Sequence, residues 1–150
     1  MKFQKRRRLA NYDYKTSASY FITICTIQRL NCFWKKDVFQ NTDAIELTEQ
    51  GFCVKNAIET IEQAYPCVFL DHYTIMPNHI HLLLTLNDSE TSVSSIINQT
   101  KGKITRQLGY SVFQKSFHDH IIRTPAEFER VWDYIENNPR KWNEDMYYLQ

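Results

Sequence analysis

The sequence contains no apolar run approaching the roughly 18 residues that a membrane-spanning helix needs. Its basic opening, MKFQKRRRLA, leads into NYDYKTSASY and not into the apolar stretch of a signal peptide. Both absences point to a cytoplasmic protein. The four cysteines, Cys25, Cys32, Cys53 and Cys67, form no C-x-x-C pair. That argues against a zinc cluster or a disulfide framework and for reduced, mostly packed thiols. Net charge is also lacking. At +1 the total carries no nucleic-acid signal, and only the distribution of charge can. Repeats, low-complexity tracts and domain linkers are absent too.

What is there fits one folded domain over residues 1–150, 43% hydrophobic and 23% charged, long enough to bury a proper core. Lys2, Lys5, Arg6, Arg7 and Arg8 crowd the N-terminus, and Lys101, Lys103 and Arg106 share a later segment. Charge runs are most often solvated, so these decide nothing alone.

Periodicity lays out the elements. SASYFITICTIQR (17–29) is β-branched and aromatic and reads as a strand. The following LNCFWKKDVFQNTDAIE reads as a loop with room for a small hairpin. From about Leu47, the residues Phe52, Ala57, Ile58 and Ile61 fall near helical spacing, and Pro66 ends the segment. CVFLDHYTIM and HIHLLLTL are strands either side of a Pro77-Asn78 turn, close enough for an antiparallel hairpin. Val93, Ile96, Ile97, Thr100, Ile104 and Leu108 trace a helix with Gly109 as its stop. SVFQKSFHDHIIR returns to strand character. A last helix starts with Thr124 as cap, Pro125 in the first turn and Glu127 completing a capping box. Its core stripe is Phe128, Val131, Trp132 and Ile135, and Pro139 limits its end. The order β-α-β-β-α-β-α predicts an α+β, ferredoxin-like (RRM-like) antiparallel sheet with an added C-terminal helix. Helices on one face leave the other open to a ligand, with the last helix able to cover part of it.

Within YTIMPNHIHLLLTL (73–86) two imidazoles interrupt a core-like run. On a strand His79 and His81 point one way while Ile80, Leu82 and Leu84 point the other. Such a pair is either buried and hydrogen-bonded or a metal site, and two ligands do not close a site. Tyr134 and Asn138 are one helical turn apart, beside the core stripe of the last helix. Were that edge to face the histidines, Asn138 would offer a metal its carbonyl oxygen and Tyr134 would stand one turn away. The alternative is a helix-flank tyrosine and an asparagine that caps the C-terminus.

YTIMPNHIHLLL closely resembles the HUH motif (His, hydrophobic, His) of single-tyrosine transposases, and its M-P-N-H-x-H form resembles the REP-associated tyrosine transposases and their insertion-sequence relatives. RRRLANYDYKTSASYFITICTIQRLNCFW is similar to that family's opening block, and FHDHIIRTPAEFERVWDYIENNPRKW to its closing block. Three blocks in order span nearly the whole chain, which is far more specific than H-x-H alone. The resemblance implies the ferredoxin-like fold. It assigns His79 and His81 as metal ligands, Tyr134 as nucleophile and Asn138 as third ligand. It implies Mg²⁺ or Mn²⁺, hairpin-forming single-stranded DNA and a covalent 5′-phosphotyrosine, and it allows a homodimer. The candidate DNA contacts are Arg6, Arg7, Arg8, Lys101, Lys103, Arg106, His120 and Arg123. His118-Asp119-His120 resembles a second H-x-H, but its charged centre would anchor a buried strand poorly, so His118 and His120 read as DNA-contacting or structural. Where relatives often carry Trp-Gln, this chain reads Phe113-Gln114 followed by Lys115. That departure bears on DNA contacts and not on the proposed chemistry.

Two other readings compete. A binding module that had lost catalysis need not keep His79, His81, Tyr134 and Asn138 together. A zinc hydrolase requires a third His or carboxylate, with Asp71 and His72 nearest; strand parity puts these on opposite faces, so only one of them could contribute.

Overall fold

The computed structural model describes residues 17–36 and 45–144. Four strands form one antiparallel sheet: β1 (Ser17–Cys25), β2 (Val68–Ile75), β3 (His79–Asn87) and β4 (His118–Ile122), in the spatial order β2-β3-β1-β4. The helices are α1 (Glu49–Glu59), the single turn α2 (Ile61–Ala64), α3 (Val93–Leu108) and α4 (Pro125–Asn137). This is the predicted ferredoxin-like arrangement with its extra helix. Arg6, Arg7 and Arg8 lie outside the described residues.

Register explains how the sheet sorts its side chains. Ile22 pairs with Leu82 and Ile24 with Ile80, placing all four on one face. There they meet Val54, Ile58, Ile96, Ile97 and Ile104 of α1 and α3 in the main apolar core. The alternate residues of the same strands occupy the second face: Phe21 opposite Leu83, Thr23 opposite His81, Ser19 opposite Thr85. That face carries a smaller apolar cluster, in which Leu83 and Ile122 pack under Phe128, Val131, Trp132 and Ile135 of α4. The open face expected from the sequence is thus partly roofed by α4.

Local signals act where the sequence puts them. Ser92 accepts from Ser95 N–H to start α3, and Gly109 ends it at φ 86°, a left-handed cap that costs glycine least. Thr124 accepts from Glu127 N–H at the start of α4. The Glu127 carboxylate reaches back to Arg123 N–H, one residue before the cap, and not to the cap itself.

Two expectations need correction. Phe52 is 52% exposed and takes no part in the core stripe, because Cys53, Val54, Ala57 and Ile58 form the buried side of α1. The strand at 111–123 shrinks to residues 118–122. Phe113 makes only an isolated bridge to Thr26 and sits in the main core against Phe33, ring centroids 5.8 Å apart. Gln114 bonds the backbone oxygens of Cys25 and Thr26, so the stretch that departs from the family pattern fastens down the end of β1.

Candidate active site

β3 delivers two histidines to the second face, at 0% and 1% exposure. Their Nε2 atoms converge to 3.1 Å. Each ring is held from behind. Asn78 Oδ1 lies 2.8 Å from His79 Nδ1 and can only accept, so the neutral His79 ring donates from Nδ1 and turns its Nε2 lone pair inward. His81 Nδ1 lies 2.9 Å from the Thr23 hydroxyl, which can donate or accept. With Thr23 donating, His81 Nε2–H points at His79; with Thr23 accepting, both inward nitrogens present lone pairs. Thr23 and Asn78 orient the imidazoles as outer-shell partners do at metal sites, and Asn78 also fixes the tautomer of His79. Both were legible in principle: Thr23 interrupts the Ile22–Ile24 alternation, and Asn78 adjoins the motif.

α4 brings the phenol. The Tyr134 ring lies 5.4 Å from that of His81 and 5.9 Å from Phe21, centroid to centroid, edge-on to both. Tyr134 is 41% exposed, so the residue stands partly at the surface. Asn138 ends α4 in helical conformation (φ −58°, ψ −44°). Its side chain is buried, and among the described residues Oδ1 has no hydrogen-bond partner. After it a 3-10 segment carries Trp142 to within 6.2 Å of the His79 ring. Asn138 therefore lies, along the chain, between a residue touching His81 and one touching His79. A buried amide oxygen without a donor is costly in a folded protein. A cation beside it, or a substrate donor, would remove that cost.

A third His or carboxylate does not join the pair: among the described residues no group of three His, Cys, Asp or Glu is placed to hold a metal. The parity argument for Asp71 and His72 fails, however. β2 shifts register between Leu70, opposite Leu84, and His72, opposite Leu83. The bulge turns both Asp71 and His72 to the second face. Asp71 accepts from Thr85, whose oxygen lies 2.7 Å from Ser19. His72 pairs with Glu136 of α4. None of the four cysteines is in a disulfide, and burial pushes the Cys32 thiol up to about 11.

The candidate DNA contacts divide. Lys101, Lys103 and Arg106 sit on α3, over the opposite face of the sheet from the histidines. The Lys101 ammonium donates to the backbone oxygens of Gln114 and Lys115 at 2.7 and 3.0 Å, and Lys103 donates to Thr60. His120 and Arg123 lie on the near side. His120 stands opposite Phe21 and bonds Glu127 at 3.0 Å; Arg123 borders a cleft of about 440 Å³ with Ser17, Ser19 and Thr124. His118 is opposite Thr23, in the cross-strand row that continues to His81, and is exposed.

Known proteins share this architecture and sequence. An uncharacterized protein of Haemophilus influenzae is 27% identical over 168 aligned positions, spanning 95% of this chain and 91% of the relative. The REP-associated tyrosine transposase of Escherichia coli is 28% identical over 96 positions, spanning 63% of this chain and 58% of that protein. Among solved structures, a REP-associated tyrosine transposase bound to a REP hairpin superposes with a TM-score of 0.64 at 22% identity, over 92% of this chain and 73% of that one. A putative transposase of Deinococcus radiodurans superposes at 0.54 and 16% identity, over 88% and 97%. These two likenesses establish the fold. Residues 14–138 match the family described as Transposase IS200 like, and by that match the chain belongs to the IS200-like transposases, a family of DNA-processing enzymes.

Proposed function

We propose that the protein nicks and rejoins single-stranded, hairpin-forming DNA through a covalent bond between Tyr134 and a 5′-phosphate. The observation that carries this reading is the Tyr134 ring at 5.4 Å from His81, whose Nε2 is 3.1 Å from that of His79. The hairpin substrate is argued from the neighbour bound to a REP hairpin. The half-exposed phenol supports it too, since phosphorus is easier to reach in a single strand or at a hairpin foot than in a stacked duplex.

His79, His81 and the Asn138 side chain would hold a divalent ion, Mg²⁺ or Mn²⁺. The donor set fits. A nitrogen–nitrogen spacing of 3.1 Å suits two neighbouring ligands of one ion, since about 2.1 Å to each at a right angle gives roughly 3.0 Å. The Asn138 oxygen is buried and without a protein donor among the described residues. Three neutral ligands leave the ion's charge uncompensated, and when bound it supplies that charge to the non-bridging oxygens of the scissile phosphate and to the developing phenolate.

The chain's own residues do the rest. Thr23 and Asn78 hold the imidazoles in orientation, and Phe21 and His81 hold the phenol ring edge-on. The phenol gives its proton to solvent water, its oxygen attacks phosphorus in line, and the bond from phosphorus to the 3′ oxygen breaks. The 5′-phosphate stays on Tyr134, and the departing oxygen takes a proton to become a free 3′-OH. Phosphotyrosine keeps the bond energy, so another 3′-OH can reverse the step and join a new strand. His120 and Arg123, on the same side as Tyr134, are the better-placed strand contacts. Lys101, Lys103 and Arg106 would bear only on DNA that wraps round to α3.

The test is direct. Labelled hairpin-bearing single-stranded DNA incubated with the protein and Mg²⁺ or Mn²⁺ yields a denaturant-resistant adduct. Tyr134→Phe binds the DNA and forms none. An undiminished adduct in that variant removes Tyr134 from the chemistry.

A further inference from the structure

Two contacts tie α4 to the outer strand of the sheet, and neither belongs to the chemistry just proposed. His72 Nε2 lies 2.7 Å from Glu136 Oε2. The His72 ring also lies against Trp132, with centroids 4.3 Å apart and planes tilted by 32°. Trp132 and Glu136 are one helical turn apart, so both project from the same side of α4, while Tyr134, between them in the chain, projects from another. His72 reaches them only because of the β2 bulge, which turns it onto the second face opposite Leu83.

Apolar contacts from Phe128, Val131 and Ile135 press α4 onto the sheet. Burial of that kind is non-directional and leaves a helix some freedom to roll about its axis. A stacked ring and a hydrogen bond, one turn apart on a single imidazole, remove that freedom. The leverage is large: a roll of about 10° moves a side-chain tip some 6 Å from the axis by roughly 1 Å. Burial holds His72 below the usual histidine range despite the carboxylate beside it. At neutral pH the ring is therefore uncharged and donates Nε2–H to Glu136.

We propose that His72 is a positioning residue for the transposase chemistry: clamped to Trp132 and Glu136, it fixes the roll of α4 and so sets where the Tyr134 hydroxyl stands relative to His79 and His81. The proposal rests on the reading of Tyr134 as the nucleophile.

Three variants separate the contacts. His72→Phe keeps a ring on Trp132 and loses the hydrogen bond. Glu136→Ala loses the acceptor, whereas Glu136→Gln keeps an acceptor and loses only charge. At saturating hairpin DNA, adduct formation falls about 10- to 100-fold in His72→Phe and Glu136→Ala, the scale of an ångström misplacement. Glu136→Gln recovers most of the rate, and hairpin affinity is unchanged in all three. Without DNA, the ring resonances of Tyr134, read by carbon-13 tyrosine labelling and assigned with Tyr134→Phe, lose their shift from Phe21 and His81 in the two impaired variants. Should His72→Phe fail to fold, the Glu136 pair, at a half-exposed position, decides alone. Wild-type rates with unmoved Tyr134 resonances in Glu136→Ala overturn the inference. A wild-type protein that forms no Tyr134-dependent adduct overturns the reading beneath it instead, and the resonances still report whether His72 and Glu136 place the ring.

Discussion

Leu82 and His81 are neighbours on β3 and equally buried, at 0% and 1% exposure, yet they look out on different surroundings. Leu82 faces Ile22 and the apolar undersides of α1 and α3, where shape and volume are all that matter. His81 faces a layer in which Thr23, Asn78, Asp71, Thr85 and His72 hydrogen-bond beneath α4. Buried polar groups contribute little net stability and must all be satisfied, so such a layer is a poor way to build a core. One face of the sheet holds the molecule together, and the other holds side chains in particular orientations.

That division is open to experiment. The largest contrast is Tyr134→Phe, which abolishes the covalent adduct on gels while the unfolding free energy from urea titration stays within about 0.5 kcal/mol of wild type. Leu82→Ala does the reverse. It destabilises by about 2–5 kcal/mol in equilibrium unfolding, through lost burial and a residual cavity, and leaves the adduct rate per folded molecule unchanged. If Leu82→Ala spared stability or selectively removed activity, the division would be wrong.

A subtler contrast lies in pH. The unfolded chain protonates His72 near its ordinary value of 6.5, while burial lowers the folded value. Between the two values the unfolded state binds more protons, so stability is full above about pH 6.5 and declines below it, by at most about 1.4 kcal/mol per unit. His72→Phe should flatten that part of the pH–stability curve, as measured by urea unfolding from pH 7 to 5. The smallest effect is expected at Asn138. Asn138→Leu removes a buried acceptor that has no donor among the described residues, so the stability of the ion-free protein holds or rises by up to about 1 kcal/mol. Mn²⁺ binding by calorimetry should weaken in the same variant. A large loss of stability there would mean that the amide has a structural role.

Much of this was legible in the sequence because alternation and helical spacing are local. The H-x-H parity, the Thr124 cap and the α4 stripe all follow from residues within a turn or two of one another. The pairing of Tyr134 with Asn138 followed from spacing, and only the family resemblance connected it to His79 and His81. What escaped was non-local or irregular. Asp71 and His72 were separated by a parity rule that a single bulge cancels, and no residue at that point announces a bulge. Phe52 was grouped with Ala57, Ile58 and Ile61 on approximate helical spacing, whereas the buried side of α1 uses Cys53, Val54, Ala57 and Ile58. His120 was read as DNA-contacting or structural, and its bond to Glu127 across the start of α4 was not foreseen.

β1 sits at the centre of the sheet, yet both strands that flank it, at residues 79–87 and 118–122, come much later in the chain. Long loops must close before such pairings are rewarded, and topologies of this kind fold slowly. A nascent chain emerging from the ribosome therefore carries its imidazoles well before Tyr134 exists, and the Asn138 amide arrives last. No half-made chain can assemble the full set of groups, so the activity proposed for them would be withheld until synthesis had passed α4.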